Sequence, residues 1–280
     1  MTFEQPHRDD TDPHVAHDVT YLRNSQYGTL DKLNARIVLH SKYATSHVSW
    51  FDWLHSLIEW SSWDDVLEVG SGTGVFWTAL PASLHKNFRL VLSDLSPAMV
   101  EASLKQARQR LNNVTGVEAN VQDLPFENAS FDLVIANQML YHAPDPRVAL
   151  AEIRRVLRPG GTLFASTIGP EHLRELFEIE AVVFGVTRNA ALSDVFGSVS
   201  GRTLLEQGFE VVEWHQFDDE LRCTDVEDVM AYLTTTPPSE GATSEQLRQL
   251  RAEVEYRVRK GDGTLYVTKD TGVFLARRPR

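Results

Sequence analysis

Asp65-Val-Leu-Glu-Val-Gly-Ser-Gly-Thr-Gly74 is the stretch whose reading decides the fold. Val66, Leu67 and Val69 form a short apolar run closed by glycines at alternate positions, which reads as a buried strand entering a tight turn. Glycine frees the backbone there and lets a ligand approach without a Cβ in the way, while a helix starting behind the turn would present unpaired N–H groups. A dinucleotide fingerprint needs G-x-G-x-x-G. Counted from Gly70 the third glycine position is Val75, and counted from Gly72 it is Trp77, so that reading fails.

Downstream, the unit of strand, turn and helix repeats. Arg89-Leu-Val-Leu-Ser93 predicts a second strand, and Ser96-Pro97 opens a helix expected to run to Leu111. Val114–Ala119 is a weaker strand and Phe131–Ala136 a strong one. Pro146–Leu157 reads as a helix stopped by Arg158-Pro-Gly-Gly161, with a fifth strand over Gly161–Thr167. Strands separated by helices of this length need crossover connections, which predicts a parallel sheet covered on both faces. After Gly169 the rhythm breaks: one or two helices are expected between residues 171 and about 206, a strand at Phe209–Trp214, helices at Asp225–Leu233 and Ser244–Arg259, and a final strand over Gly263–Arg277. Upstream, apolar residues recur at helical period over Leu30–Tyr43 and again from Val48 to Ile58, with Trp50, Trp53 and Trp60 widening an amphipathic stripe expected to face the core. Residues 1 to about 20 lack periodicity and read as a lead-in.

At 280 residues the chain suffices for one embellished α/β domain. Its formal charge of −12 opposes a phosphate backbone, so nucleic acid is not the expected partner. The arginines of Arg147–Arg158 and Arg251–Arg259 are interleaved with apolar or acidic residues and read as solvated helix faces. Cys223 is the single cysteine, which rules out an internal disulfide or a cysteine-cluster metal site. Without an apolar leader or a span of about eighteen apolar residues, no membrane association and a cytoplasmic location are expected.

Chemistry concentrates where the strands finish. Asp94 ends the second strand, where a carboxylate can accept hydrogen bonds from two ribose hydroxyls, although an Asx cap for the helix at Pro97 would use the same residue. Asp123, in Val121-Gln-Asp-Leu-Pro-Phe126, follows the third strand at the same edge. A glycine turn and two carboxylates thus address one crevice, as an adenosine ligand would require.

These stretches, with Leu92-Ser-Asp-Leu-Ser-Pro-Ala-Met99, Phe131-Asp-Leu-Val-Ile135 and Val156-Leu-Arg-Pro-Gly-Gly161, resemble the class I S-adenosylmethionine-dependent methyltransferases, and within them the small-molecule "type 11" group. The resemblance covers residues 65 to 168. It implies a Rossmann-like, doubly wound, mostly parallel seven-stranded sheet. Residues 1–60 would be a lead-in and helical cap, 61–168 the cofactor-binding core, and 169–280 a helical insertion after the fifth strand followed by the strands that complete the sheet. It places S-adenosylmethionine with Glu68 and Gly70 near its methionine moiety, Ser71, Gly72 and Gly74 along the loop, and Asp94 on the ribose. Leu95 and Met99 would flank the adenine, Gln122, Asp123 and Leu124 would meet its polar edge, and Asn137 would line the sulfonium side.

The implied reaction is an in-line displacement at an activated methyl carbon, which needs alignment and water exclusion more than acid or base. Should a base act, His142 and then Tyr141 are the candidates, because the loop after the fourth strand would open beside the methyl donor. Tyr21, taken as a cofactor contact, and Tyr27, Arg36 and His40 lie on the N-terminal segment that could close over the site. The Asn/Asp-Pro-Pro-Tyr/Phe signature that the resemblance leads one to expect of base-directed amino methylases is absent from Asn137-Gln-Met-Leu140, which agrees with the charge argument against nucleic acid. Two other readings stay open: a cofactor-binding regulatory module without turnover, and a methyltransferase acting on protein or RNA.

Overall fold

The computed structural model describes residues 30–81, 88–185, 191–239 and 241–280. Tyr21 and Tyr27 lie outside them, and the side chain of Arg36 lies outside them as well. The described residues form two compact units, each assembled from separate segments: one from within 30–45, 173–191 and 219–269, the other from within 46–172, 192–218 and 270–280. The sequence divides the chain linearly at 60 and 168, whereas these units interleave.

The larger unit carries a seven-stranded sheet in the order β3-β2-β1-β4-β5-β9-β6. Its parallel strands are β1 (Asp65–Val69), β2 (Arg89–Asp94), β3 (Val114–Glu118), β4 (Phe131–Asn137) and β5 (Leu157–Ile168). The antiparallel strands are β6 (Glu210–Gln216) and β9 (Thr271–Arg277), with β9 lying between β5 and β6. Central strands covered on both faces must be apolar throughout, and Val66, Leu67 and Val69 are fully or almost fully buried. Glu68 is the exception, a carboxyl 1% exposed in the middle of that run.

Alternation along the strands builds two cores. Val66, Leu90, Leu92, Leu133 and Ile135 pack with α2 (Trp50–Ser56), α3 (Val75–Thr78) and α4 (Pro97–Ala107) around Trp60, Phe76, Trp77 and Phe88. Leu67, Val69, Val134, Ala136 and Leu163 pack on the other face with Ala149, Leu150 and Ile153 of α5 (Pro146–Val156). The helix expected to reach Leu111 ends at Ala107, where the chain turns through 3₁₀-type bonds before β3. Where the sequence predicts one or two helices after β5, the described residues hold three, of which α7 (Ala191–Phe196) and α8 (Ser200–Leu205) belong largely to this unit.

The smaller unit holds α1 (Leu30–Tyr43), α6 (Arg174–Phe184), α9 (Val226–Leu233) and α10 (Ser244–Lys260), with a two-stranded sheet of β7 (Glu220–Cys223) and β8 (Leu265–Thr268). Leu39, Ile179, Leu221, Leu250 and Val254 are fully buried in its own core. The single strand expected within Gly263–Arg277 is therefore two: β8 pairs with β7 and β9 joins the large sheet, with Lys269 and Asp270 between them. Asp219 fastens this unit's segments together, accepting from the Thr45 backbone N–H at 2.9 Å and from Lys269 Nζ at 2.5 Å.

Several arginines of the two arginine-rich stretches are paired with carboxylates. Arg158 bridges Asp65 and Asp132, Arg155 pairs with Glu152, and Arg251 and Arg257 pair with Glu227 and Glu253.

Candidate functional site

β1, β2, β3 and β4 end together at the carboxyl edge of the parallel sheet, where open α/β sheets bind ligands. The turn after β1 runs through three left-handed glycines, Gly70, Gly72 and Gly74. A Cβ at Gly74 would lie 2.5 Å from Ser103 Cα, so that glycine lets α4 close onto the turn. A Cβ at Gly70 would meet Met139 at 2.9 Å. At Gly72 an added Cβ would meet nothing within 4 Å, so this backbone faces open space.

Asp94 sits against that opening. Its Oδ2 accepts from Gly72 N at 2.9 Å and its Oδ1 from Ser96 N at 2.9 Å. The cap contact does not exhaust the carboxylate, which offers about four lone-pair directions, of which two remain. Ser71 N donates to Ser93 O at 2.9 Å, fixing the turn to the end of β2, and the Ser71 hydroxyl donates to Ser103 Oγ at 3.0 Å.

Glu68 lies beneath the turn. Burial pushes its carboxyl up to about 8, opposed by the Trp77 indole N–H, reinforced by the like charge of Asp94 and opposed weakly by the Asn137 amide. Trp77 Nε1 donates to Glu68 Oε2 at 2.6 Å. Asn137 Oδ1 accepts from the Ser166 hydroxyl at 2.8 Å, whereas its buried Nδ2 forms no complete hydrogen bond.

Beyond β4 the chain takes an unusual path. Gln138 has φ 50°, a left-handed conformation that costs a non-glycine residue energy and tends to gather at functional sites. Three bonds hold it: its N–H donates to Ser166, its Nε2 donates to Thr271 Oγ1 at 3.2 Å, and its Oε1 accepts from the Tyr141 hydroxyl at 3.1 Å. Tyr141 is buried and already spends its proton on Gln138, which suits a structural role better than that of a base. His142 is half-buried, its ring 4.6 Å from that of Tyr141 in an edge-to-face pair.

The loop after β3 is pinned from α5. Leu124 N donates to Glu152 Oε2 at 2.9 Å, and the Arg155 guanidinium donates to the carbonyls of Leu124 at 2.8 Å and Phe126 at 2.7 Å while pairing with Glu152. Leu124 is buried, Gln122 half-buried and Asp123 exposed, with Asp123 N bonded to Asn120 O at 2.9 Å. Leu95 is exposed and Met99 half-buried beside the start of α4. His40 belongs to the smaller unit, where its ring lies 6.3 Å from Tyr232.

The larger unit thus gathers Glu68, Gly70, Ser71, Gly72, Gly74, Asp94, Asn137 and Met139 at one strand edge. Sequence reasoning missed Trp77, Met139, Gln138, Ser166 and the Glu152–Arg155 pair. A tryptophan three residues past the last glycine was a signal for the first; the others became visible only through tertiary contacts. The residues fit an adenosine-bearing cation: a glycine cradle open at Gly72, an anchored carboxylate with free lone pairs beside it, and below them a buried carboxyl and an incompletely bonded amide.

Comparison with known proteins agrees with this geometry. Residues 67–165 match the family model described as a methyltransferase domain. A malonyl-[acyl-carrier protein] O-methyltransferase of Laribacter hongkongensis is 30% identical over 228 residues, 76% of this chain and 75% of that protein. Its counterpart in Hahella chejuensis is 40% identical over 122 residues, 44% of this chain and 42% of that protein, so the match spans less than half of the Hahella enzyme. Among solved structures, Haemonchus contortus phosphoethanolamine N-methyltransferase 2, in complex with phosphomonomethylethanolamine and S-adenosylhomocysteine, shares the fold with a TM-score of 0.55 at 17% identity, covering 95% of this chain and 60% of that one.

Proposed function

From the premise that the chain belongs to the class I S-adenosylmethionine-dependent methyltransferases, we propose that it transfers the sulfonium methyl group to a small-molecule acceptor at the carboxyl edge of its parallel sheet. The observation that carries this reading is the open space over Gly72 beside Asp94, whose two hydrogen bonds fix its carboxylate while leaving two lone-pair directions free. Asp94 takes the ribose hydroxyls, Gly70, Ser71, Gly72 and Gly74 line the methionine arm, and Glu68 and Asn137 serve its cationic end. Leu95 and Met99 cover the adenine, with Gln122, Asp123 and Leu124 at its polar rim. Tyr21 remains a proposed contact from outside the described residues.

Bound S-adenosylmethionine supplies a methyl carbon already activated by a positive sulfur. What this chain contributes is alignment: the strained Gln138 and its ties to Ser166, Thr271 and Tyr141 hold rigid the segment that follows β4. His142 remains the candidate base for an acceptor that must lose a proton.

The names of the relatives support an acyl carboxylate, free or attached to a carrier protein, as the first acceptor to try. A carboxylate oxygen is already a nucleophile and needs no base, which suits a site where Tyr141 spends its proton on Gln138. No helix among the described residues is long and apolar enough to cross a membrane, and a cytoplasmic location is part of the proposal.

The test is incubation with S-adenosylmethionine and, in turn, malonyl-carrier protein, its small thioester analogue and a metabolite extract. S-Adenosylhomocysteine and a product heavier by one methyl group are expected. Binding without turnover across this panel would mark a regulatory module, and methyl incorporation into RNA or into protein side chains alone, with no methylated acyl group or metabolite, would overturn the small-molecule assignment.

A further inference from the structure

Glu68 is the one carboxyl buried within the central strand; the Trp77 indole donates to it at 2.6 Å, and the Asn137 amide also faces it. That indole comes from α3, the short helix opened by the glycine turn, and it is itself 0% exposed among Trp60, Phe76 and Phe88. A neutral N–H cannot discharge a buried carboxylate. The groups facing Glu68 from the elements around it are Trp77 from α3, Asp94 from β2 and Asn137 from β4, and the charge among them is a negative one. With no cation in reach among the described residues, burial favours the neutral carboxylic acid, in keeping with a carboxyl pushed up to about 8.

We propose that Glu68 is the proton-coupled anchor of this site: the cofactor's positive charge drives one proton from its carboxyl to solvent on binding, and Trp77 is the positioning residue that holds the resulting carboxylate. This rests on the cofactor reading above and deepens it. The balance is simple: protein with Glu68 protonated plus cationic cofactor gives a complex with Glu68 ionised plus one released proton, and the released proton goes to the buffer. The linkage has a definite sign. Below the pH at which free Glu68 ionises, each unit of falling pH should raise the dissociation constant about tenfold, until the bound carboxyl itself protonates.

The test is calorimetric titration of the whole chain with S-adenosylmethionine at pH 6, in buffers of different ionisation enthalpy. Close to one proton released per cofactor bound is the expected result. Saturable binding with no proton released would overturn this proposal and leave the cofactor assignment standing; absence of binding would overturn both. Glu68→Gln, which keeps the shape of the acid, should bind more weakly and release no proton; an unchanged release would move the proton to another group and sink the proposal. Trp77→Phe separates positioning from packing. If the indole N–H holds the carboxylate, the bound acid in this variant ionises incompletely and fewer protons are released at pH 6; weakened affinity with an unchanged proton count would refute the role given to Trp77.

Discussion

Gly72 and Gly74 are the same residue for opposite reasons, and substitution separates them. Gly74→Ala drives a methyl group into the backbone of Ser103 and should destabilise the fold by about 1–3 kcal/mol, read as a lower thermal midpoint. Gly72→Ala meets open space and should cost the fold mainly the strain of its positive φ, while obstructing the cradle and weakening cofactor binding in calorimetry. Asp94→Ala should weaken that binding by about 1–3 kcal/mol, the usual loss when a charged acceptor is removed, and an unchanged affinity would defeat the ribose assignment. For His142→Ala, a large fall in turnover at constant cofactor affinity would make it the base, whereas unaltered turnover leaves alignment as its only contribution. The Gly70–Gly74 turn and Asp94 were legible in sequence because their roles are local: positive φ, a strand end, an Asx contact two residues on. Trp77 and Met139 were not, because what they touch is set by how α3 and the segment after β4 fold back onto β1.

The loop after β3 owes its shape to a helix, not to its own residues. Glu152 and Arg155, one turn apart on α5, take up the N–H of Leu124 and the carbonyls of Leu124 and Phe126. The planar guanidinium bonds both carbonyls and the carboxylate at once, which a lysine cannot imitate. Arg155→Lys should therefore loosen the loop and raise the cofactor dissociation constant several-fold while the far-ultraviolet spectrum stays intact, a change readable by calorimetry and hydrogen exchange at residues 122–126. The sequence showed α5 clearly through its helical period and assigned its arginines to a solvated face. Charge spacing could not reveal that one of them reaches back to a loop some thirty residues earlier. The apolar run at the end of the chain misled for a related reason. Leu265–Thr268 and Thr271–Arg277 have the same strand pattern, and only their different partners, β7 and β5, divide them.

Across the described residues, each unit buries one carboxyl that has no cationic partner to offset it. In the smaller one it is Glu180, 2% exposed, bonded by the Thr236 hydroxyl and pushed by burial up to about 7. Its folded value lies above the unfolded value of 4.5, so ionisation opposes folding: no penalty acts below the unfolded value, and the penalty is complete once pH has passed about 7. Glu180→Gln should leave thermal stability near pH 4 nearly unchanged and raise it at pH 8 by about 1–3 kcal/mol, a difference that thermal scans at the two pH values resolve. The division into two cores was not legible in sequence, since apolar periodicity marks which face of an element is buried but not against which neighbour. The strand that lies between β5 and β6 also bears on biosynthesis. Because β9 is the one strand that β6 pairs with among the described residues, a nascent polypeptide halted on the ribosome before Thr271 carries Glu210–Gln216 without that ladder to join. Limited proteolysis of such an arrested chain should cut there first, and release of the completed chain should abolish the cleavage.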